Sequence, residues 1–191
     1  MSDNKEKDQL VWEKLSTEHI ITDQWIDFKK SAFRFPDGRV YEPFYTYTKK
    51  DYAVIAATDT DGNYICVRQF RQGIEKVTTE FPAGGIEKKE LDSADDPAEA
   101  ALTAAKRELL EEAGYESDEW EHLITIPANP TISDNYAYLF KAVNCRKVAG
   151  QTLDETEYLN GVILSPAEVE KLIREGDFPQ ADHIVAWFMS R

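Results

Sequence analysis

Residues 98–113 contain neither glycine nor proline and are built almost wholly from Ala, Leu, Glu, Lys and Arg, the residue types that cost least in a helix. The stretch is punctuated at both ends. Asp95 or Asp96 can cap its N-terminus, Pro97 suits its first turn, and Gly114 supplies the left-handed residue that ends a helix. A helix is therefore expected here, and the rest of the chain must cover one side of it. Leu102, Ala105 and Leu109 have core spacing, whereas Ala101 and Ala104 are expected to leave room beside the acidic face.

The segments around this helix read as strands. Residues 11–48 are extended and aromatic-rich, with Trp25, Phe28, Phe33 and Phe35 on one side of Pro36-Asp37-Gly38 and 40–47 on the other. Proline fixes φ and glycine admits a positive one, so this tripeptide is a turn inside an antiparallel unit. Residues 52–57 are nearly continuously apolar, as a central strand covered on both faces should be. Asp59 to Gly62 turns the chain into a return strand over 63–70, and 78–81 leads to the permissive loop Pro82-Ala83-Gly84-Gly85. Further strands are expected at 121–126, 136–143 and 158–164. Ser165, with Glu168 at capping-box spacing, starts a helix over 167–174, and a last helix is expected over 182–189. The order predicts an α+β fold with a mixed sheet, and residues 1–8 are expected to fray.

Composition narrows the function. A formal net charge of −14 argues against a nucleic-acid surface, and no apolar run approaches the length of a membrane span. The polar start is not a secretory signal, so a cytoplasmic location is expected. Cys66 and Cys145 read as reduced, buried thiols. His19, His122 and His183 lack the spacing of a zinc site.

On a helix, Glu108, Glu111 and Glu112 stand at i, i+3 and i+4 and share one face. Like charges this close repel unless a cation lies among them. Carboxylate oxygens suit Mg²⁺, which commonly bridges protein acids to phosphates and lowers the pKa of an attacking water. Three glutamates on a face are also what an ordinary solvated helix carries. The surrounding string decides between these readings: Arg107-Glu108, Leu109, Glu111-Glu112 and Gly114 stand in one register, with Glu99 eight residues before Arg107 and Tyr115 last. This resembles the Nudix box, G-x₅-E-x₇-R-E-U-x-E-E-x-G-U, Tyr115 departing from its final aliphatic position. Glu80-Phe81-Pro82-Ala83-Gly84 and Val67-Arg68-Gln69-Phe70-Arg71 are similar to segments of the branch that hydrolyses ADP-ribose and other nucleoside diphosphate sugars. One departure stands out. Between Gly84, the box glycine, and Glu99 lie residues 85–98, where the family has five; the extra residues lengthen the loop, and Asp95-Asp96-Pro97 resembles an acidic-proline helix entry shifted upstream.

The resemblance implies a Nudix fold, an α/β/α sandwich with a mixed sheet between helices. It places a domain boundary between an N-terminal β-unit, 1–48, that helps form a homodimer, and a hydrolase domain, 49–191. It implies Mg²⁺, with Mn²⁺ able to substitute, held by Glu108, Glu111 and Glu112 and by the carbonyl of Ala83. Arg107 has a structural role with Glu99 as its partner, and Gly84 and Gly114 shape the loop and the helix end. Glu111, Glu155 and Glu157 are the candidates for catalysis, the last two on an acidic loop. Arg68 and Arg71 lie three apart on a strand and face opposite sides, so only one meets the phosphates, and Arg71 is the better match. For Glu80, contact with base or ribose and a structural role are both open; for Trp25, Phe44, Tyr45 and Tyr52, base stacking and core packing are both open. Residues 128–135 occupy the place of a specificity loop. The expected reaction is Mg²⁺-dependent cleavage of a nucleotide sugar, with ADP-ribose first and GDP-mannose or another sugar nucleotide as alternatives. A nucleotide-binding regulatory module without turnover is the reading from a different class.

Overall fold

The computed structural model describes residues 9–191; the expected fraying of residues 1–8 lies outside them. Contacts divide the described residues into two compact units, one of 9–49 with 127–135, the other of 50–126 with 136–191.

In the first unit, β1 (Glu13–Thr22), β2 (Asp27–Arg34) and β3 (Val40–Thr48) form an antiparallel sheet in the order β1-β2-β3. The Pro36-Asp37-Gly38 turn joins β2 to β3, with Gly38 at φ 88°. Trp12, Phe33, Phe35, Tyr41 and Phe44 pack edge to face, which assigns Phe44 to packing, and Tyr45 stacks on Phe28 at 5.5 Å. Trp25 is exposed in a turn where Asp23 accepts its backbone N–H. Residues 128–135, expected as a separate specificity loop, belong to this unit. Tyr47 N donates to Ile132 O at 2.8 Å, and Lys29 Nζ lies 3.0 Å from Asp134 Oδ2.

The second unit holds the mixed sheet. Its strands are β4 (Tyr52–Asp59), β5 (Tyr64–Arg71), β6 (Lys76–Glu80), β7 (Ala83–Gly85), β8 (Tyr115–Glu116), β9 (Glu119–Pro127), β10 (Tyr136–Lys147) and β11 (Leu159–Leu164). The backbone order is β11-β5-β4-β10-β8, with β6 on β5, β7 on β4 and β9 on β10; β4 and β10 run parallel. Hairpin partners β4 and β5 pair only at Ala57–Ile65 and Thr58–Tyr64. Beyond that they part, β6 takes the freed edge of β5 and β7 that of β4. The chain between β6 and β7 thus enters the middle of the sheet, where Ile55 N donates to Pro82 O at 3.0 Å.

The apolar run of β4 is explained by its two covered faces. Ala53, Ile55 and Ala57 pack with Ala100, Ala101, Ala104, Ala105 and Leu109. Val54 and Ala56 point the other way, into a cluster with Val169, Phe178, Ala186 and Trp187. The helices are α1 (Lys88–Ser93), α2 (Pro97–Glu108), α3 (Pro166–Glu175) and α4 (Ala181–Ser190). The result is the expected α/β/α sandwich, with α2 on one face and α3 and α4 on the other. Ser165 caps α3 in a capping box with Glu168, and Asp96 caps α2 through Ala98 N and Glu99 N. Cys66 and Cys145 are buried free thiols, and burial pushes the Cys145 thiol up to about 11.

Three expectations change. Ala101 and Ala104 do not leave room beside the acids; both are completely buried, because the small residues let α2 lie close on the sheet, while Leu102 sits at its margin. The α-helix does not run to Ala113 but ends at Glu108, and Leu109–Ala113 form a π-helical turn closed by Gly114 at φ 71°. The segment between Gly84 and α2 is not simply loop, since it contains α1.

Candidate active site

The acidic string straddles the change from α to π geometry. A turn closed i→i+5 is wider than an α-turn and swings the third position further from the first than the fourth. The structure separates the three box glutamates accordingly. Glu108 and Glu112 are buried and converge, whereas the Glu111 carboxylate lies on Arg107 with its side chain 39% exposed. Glu157, from the loop before β11, completes a group in which one carboxylate oxygen of each of Glu108, Glu112 and Glu157 lies within 4.8 Å of the others. Glu111 and Glu155 are outside that group, and Glu155 is exposed.

The loop entering the sheet supplies the floor. Ala83 N donates to Glu112 Oε2 at 3.0 Å, fixing one oxygen, and Gly84 stands against Glu108 with no room for a side chain. Burial is the largest influence on Glu108; with Glu157 and Glu111 it outweighs Arg107 and lifts the carboxyl to about 7. Burial likewise pushes Glu112 well above the ordinary carboxylate range, helped by the charges of Glu108 and Glu157. Two buried acids raised by desolvation and mutual repulsion are stabilised as anions by positive charge placed among them. Three converging carboxylates are an all-oxygen donor set suited to a hard divalent cation.

Arg107 organises the wall of the site. Its Nε donates to Glu90 Oε1 at 2.8 Å, Nη1 to Glu108 Oε1 at 2.7 Å and to Glu111 Oε2 at 2.9 Å, and Nη2 to Gly85 O at 3.0 Å. Burial works against its charge, yet the three carboxylates hold its pKa above the ordinary value. The expected partner Glu99 is elsewhere, accepting from Asp95 N at 2.9 Å at the start of α2. Counted from Gly84, a spacing of five intervening residues ends at Glu90. The extra residues thus lie between Glu90 and α2, and the match of Glu99 to the box spacing is a coincidence of register. Glu90 was missed in the sequence although that signal, glycine followed six positions later by glutamate, was present.

The two strand arginines diverge as expected. Arg71 ion-pairs with Glu80, with Nε 2.8 Å from Oε1, and carries a charge interaction with Glu112; Arg68 is exposed on the groove lined by Val77, Val162, Leu164 and Leu172. Glu80 is 0% exposed, and its oxygens also accept from Thr78, from Gln180 Nε2 at 2.6 Å and from Gln69 Nε2 at 3.4 Å. Burial opposes its charge, but Arg71 and Thr78 hold its pKa below the ordinary value. Glu80 is thus enclosed, with its oxygens engaged by Arg71, Thr78 and Gln180. Tyr52 is similarly engaged, its hydroxyl donating to Asp182 at 2.7 Å. No sequence pattern announced Gln180, because its partner is far away in the chain.

Comparison with known proteins agrees with this geometry. The NUDIX domain model matches residues 48–188. The chain is 30% identical over 173 residues to the methanol dehydrogenase activator of Bacillus methanolicus, covering 90% of this chain and 88% of that one. It is 28% identical over 160 residues to the ADP-ribose pyrophosphatase of Bacillus subtilis strain 168, covering 83% and 81%. A crystal structure of an ADP compounds hydrolase shares its fold, with a TM-score of 0.74 at 24% identity over 93% of this chain and 91% of that one. The chain belongs to the Nudix family, as a pyrophosphohydrolase of the ADP-ribose pyrophosphatase branch.

Proposed function

We propose that the chain hydrolyses the pyrophosphate bond of ADP-ribose to AMP and ribose 5-phosphate, with Mg²⁺, or Mn²⁺ in its place, held by Glu108, Glu112 and Glu157. The convergence of these three carboxylates within 4.8 Å carries the reading. The cation would neutralise the diphosphate and acidify a water. The carbonyl of Ala83, whose N–H already holds Glu112, is the further oxygen assigned to it. Arg71, aimed by Glu80 and electrostatically coupled to Glu112, receives the negative phosphate oxygens. Water adds to one phosphorus as the bridging P–O bond breaks, and its proton passes to a carboxylate of the acidic loop. Glu157, half-buried beside Glu108 and Glu112, is assigned that role in preference to the exposed Glu155. The similarity to the B. subtilis ADP-ribose pyrophosphatase supports this substrate over GDP-mannose. The first unit, rich in exposed aromatic and aliphatic side chains, is assigned to a homodimer, and the location to the cytoplasm; among the described residues no helix is long and apolar enough to cross a membrane.

Incubation with a panel of sugar nucleotides, with Mg²⁺ and with EDTA, tests the reading. AMP release from ADP-ribose that stops with EDTA is expected; silence on every sugar nucleotide with turnover of a nucleoside triphosphate rejects it. Sedimentation tests the dimer.

The match to a methanol dehydrogenase activator favours a second reading, in which the chain stimulates a dehydrogenase. Adding wild type and Glu112→Gln to a purified methanol dehydrogenase separates stimulation that needs turnover from stimulation by binding alone.

A further inference from the structure

The last carbonyls of a helix lack partners within it. Here they are met by one strap of chain following β10. Lys147 Nζ donates to Ala113 O at 2.7 Å, and Val148 N and Ala149 N donate to Gly114 O at 2.9 and 3.2 Å. Gln151 Nε2 donates to Glu112 O at 2.6 Å, and Thr152 N to Glu111 O at 2.9 Å. The approach is close: a Cβ on Gly114 would fall 2.2 Å from Ala149 O. The strap ends where the acidic loop begins. Residues 153–158 then reach Leu159, which is buried at the start of β11. Within that span Glu157 is folded back by Asp154, each backbone N–H of the pair being used: Glu157 N donates to Asp154 O, and Asp154 N to Glu157 Oε2, both at 3.0 Å.

We infer that Gln151 is a positioning residue, tethering the loop that carries Glu157 to the same turn that carries Glu112, so that the acids on the two segments stay in register. The inference rests on the metal-site reading only for its consequence, since the tether itself is a property of the metal-free chain. Without the Gln151 bond the strap is held to the turn by the Lys147 side chain at its start and by main-chain bonds, and no side chain links the residues next to the acidic loop to the turn that carries Glu112. Gln151 is itself exposed, so its replacement leaves no cavity and the fold is retained.

The test compares wild type, Q151L, which cannot donate, and Q151K, whose ammonium can donate to the same carbonyl. Amide hydrogen exchange of the metal-free proteins is read over residues 153–158 and, as a control, over α2. About tenfold faster exchange of 153–158 in Q151L, with α2 unchanged and protection regained in Q151K, is expected. Mn²⁺ binding, followed by electron paramagnetic resonance without substrate, should weaken about tenfold in Q151L, and kcat should fall while KM for the nucleotide holds. Exchange over 153–158 equal to wild type in Q151L overturns the tether. Failure of the wild-type chain to bind Mn²⁺ rejects the metal reading instead, and the exchange comparison still decides the tether.

Discussion

A Cβ on Gly84 would stand 1.9 Å from Glu108 Oε1, far closer than any non-bonded contact allows, so the main chain of β7 and a buried carboxylate occupy adjoining space with nothing between them. Glu108 cannot simply swing aside, because Arg107 holds the same oxygen at 2.7 Å. Gly84→Ala should therefore displace the carboxylate by about an ångström and lower kcat by about 10²-fold. Thermal stability should change far less, since the clash falls on a side-chain end. Kinetics and a melting curve on the same preparation check both parts.

Glu112 is the acid most completely enclosed by the site, and its second oxygen is the natural handle for a cation. Glu112→Gln keeps an acceptor for Ala83 N but removes the charge. Turnover should fall by orders of magnitude. In the wild type, Mg²⁺ at about 100 times its dissociation constant should stabilise the fold by about 2.7 kcal/mol, read as a rise in Tm that EDTA reverses. The variant should show little of that rise. A full Mg²⁺-dependent rise in Glu112→Gln would count against the assignment of the donor set.

Glu90 and Glu99 offer a direct contrast, because both are acids before the same arginine and only one touches it. Glu90→Gln replaces the ion pair with Arg107 by a bond from the charged guanidinium to a neutral amide oxygen and should cost about 1.5–3 kcal/mol in urea unfolding, together with activity. Glu99 holds only the exposed Asp95 N–H, so Glu99→Gln should stay within about 0.5 kcal/mol with normal turnover. Equal effects of the two would remove Glu90 from its place as the partner of Arg107.

His183 makes one contribution to the pH dependence of stability, opposite in sign to that of the raised Glu108 and Glu112. It is almost fully buried, and Phe81 N donates to its Nδ1 at 3.1 Å, so the ring is neutral with that nitrogen unprotonated. Burial lowers its pKa below the ordinary 6.5. The unfolded chain then binds a proton that the folded one refuses, and stability contributed above pH 6.5 drains away as the pH falls from there toward the depressed folded value. Urea midpoints at neutral and mildly acidic pH, compared between wild type and variant, isolate this contribution. His183→Gln, which keeps an acceptor for Phe81 N, should lose less stability than wild type on going from neutral to mildly acidic pH; an equal change in the two proteins would assign the acid sensitivity to other groups.

Much of the second unit was readable because its signals are local. The Asp59 to Gly62 turn, the Asp96-Pro97 entry to α2 and the Ser165–Glu168 capping box each join residues a few positions apart. The double-sided burial of β4 was readable from its unbroken apolar run. The π-turn was not, because it preserves composition and spacing and differs only in which carbonyl each N–H meets. Long-range bonds were equally hidden: Gln151 to Glu112 and Gln180 to Glu80 join residues 39 and 100 positions apart. In the site, Glu108, Glu112 and Arg107 followed from the box, but the departure of Glu111 to Arg107 depended on the width of the turn. Residues 128–135 carried no code for their place beside β3, which main-chain bonding to Tyr47 determines.

The ion pair between Glu90 and Arg107 fastens the two ends of the stretch that sets this chain apart from the usual box length. Beyond Ser93, where the helix that holds Glu90 ends, a change in length before the Asp96 cap should leave that clasp in place. The turn between Ser93 and the Asp96 cap is consequently a natural place to graft an epitope or a fluorescent reporter.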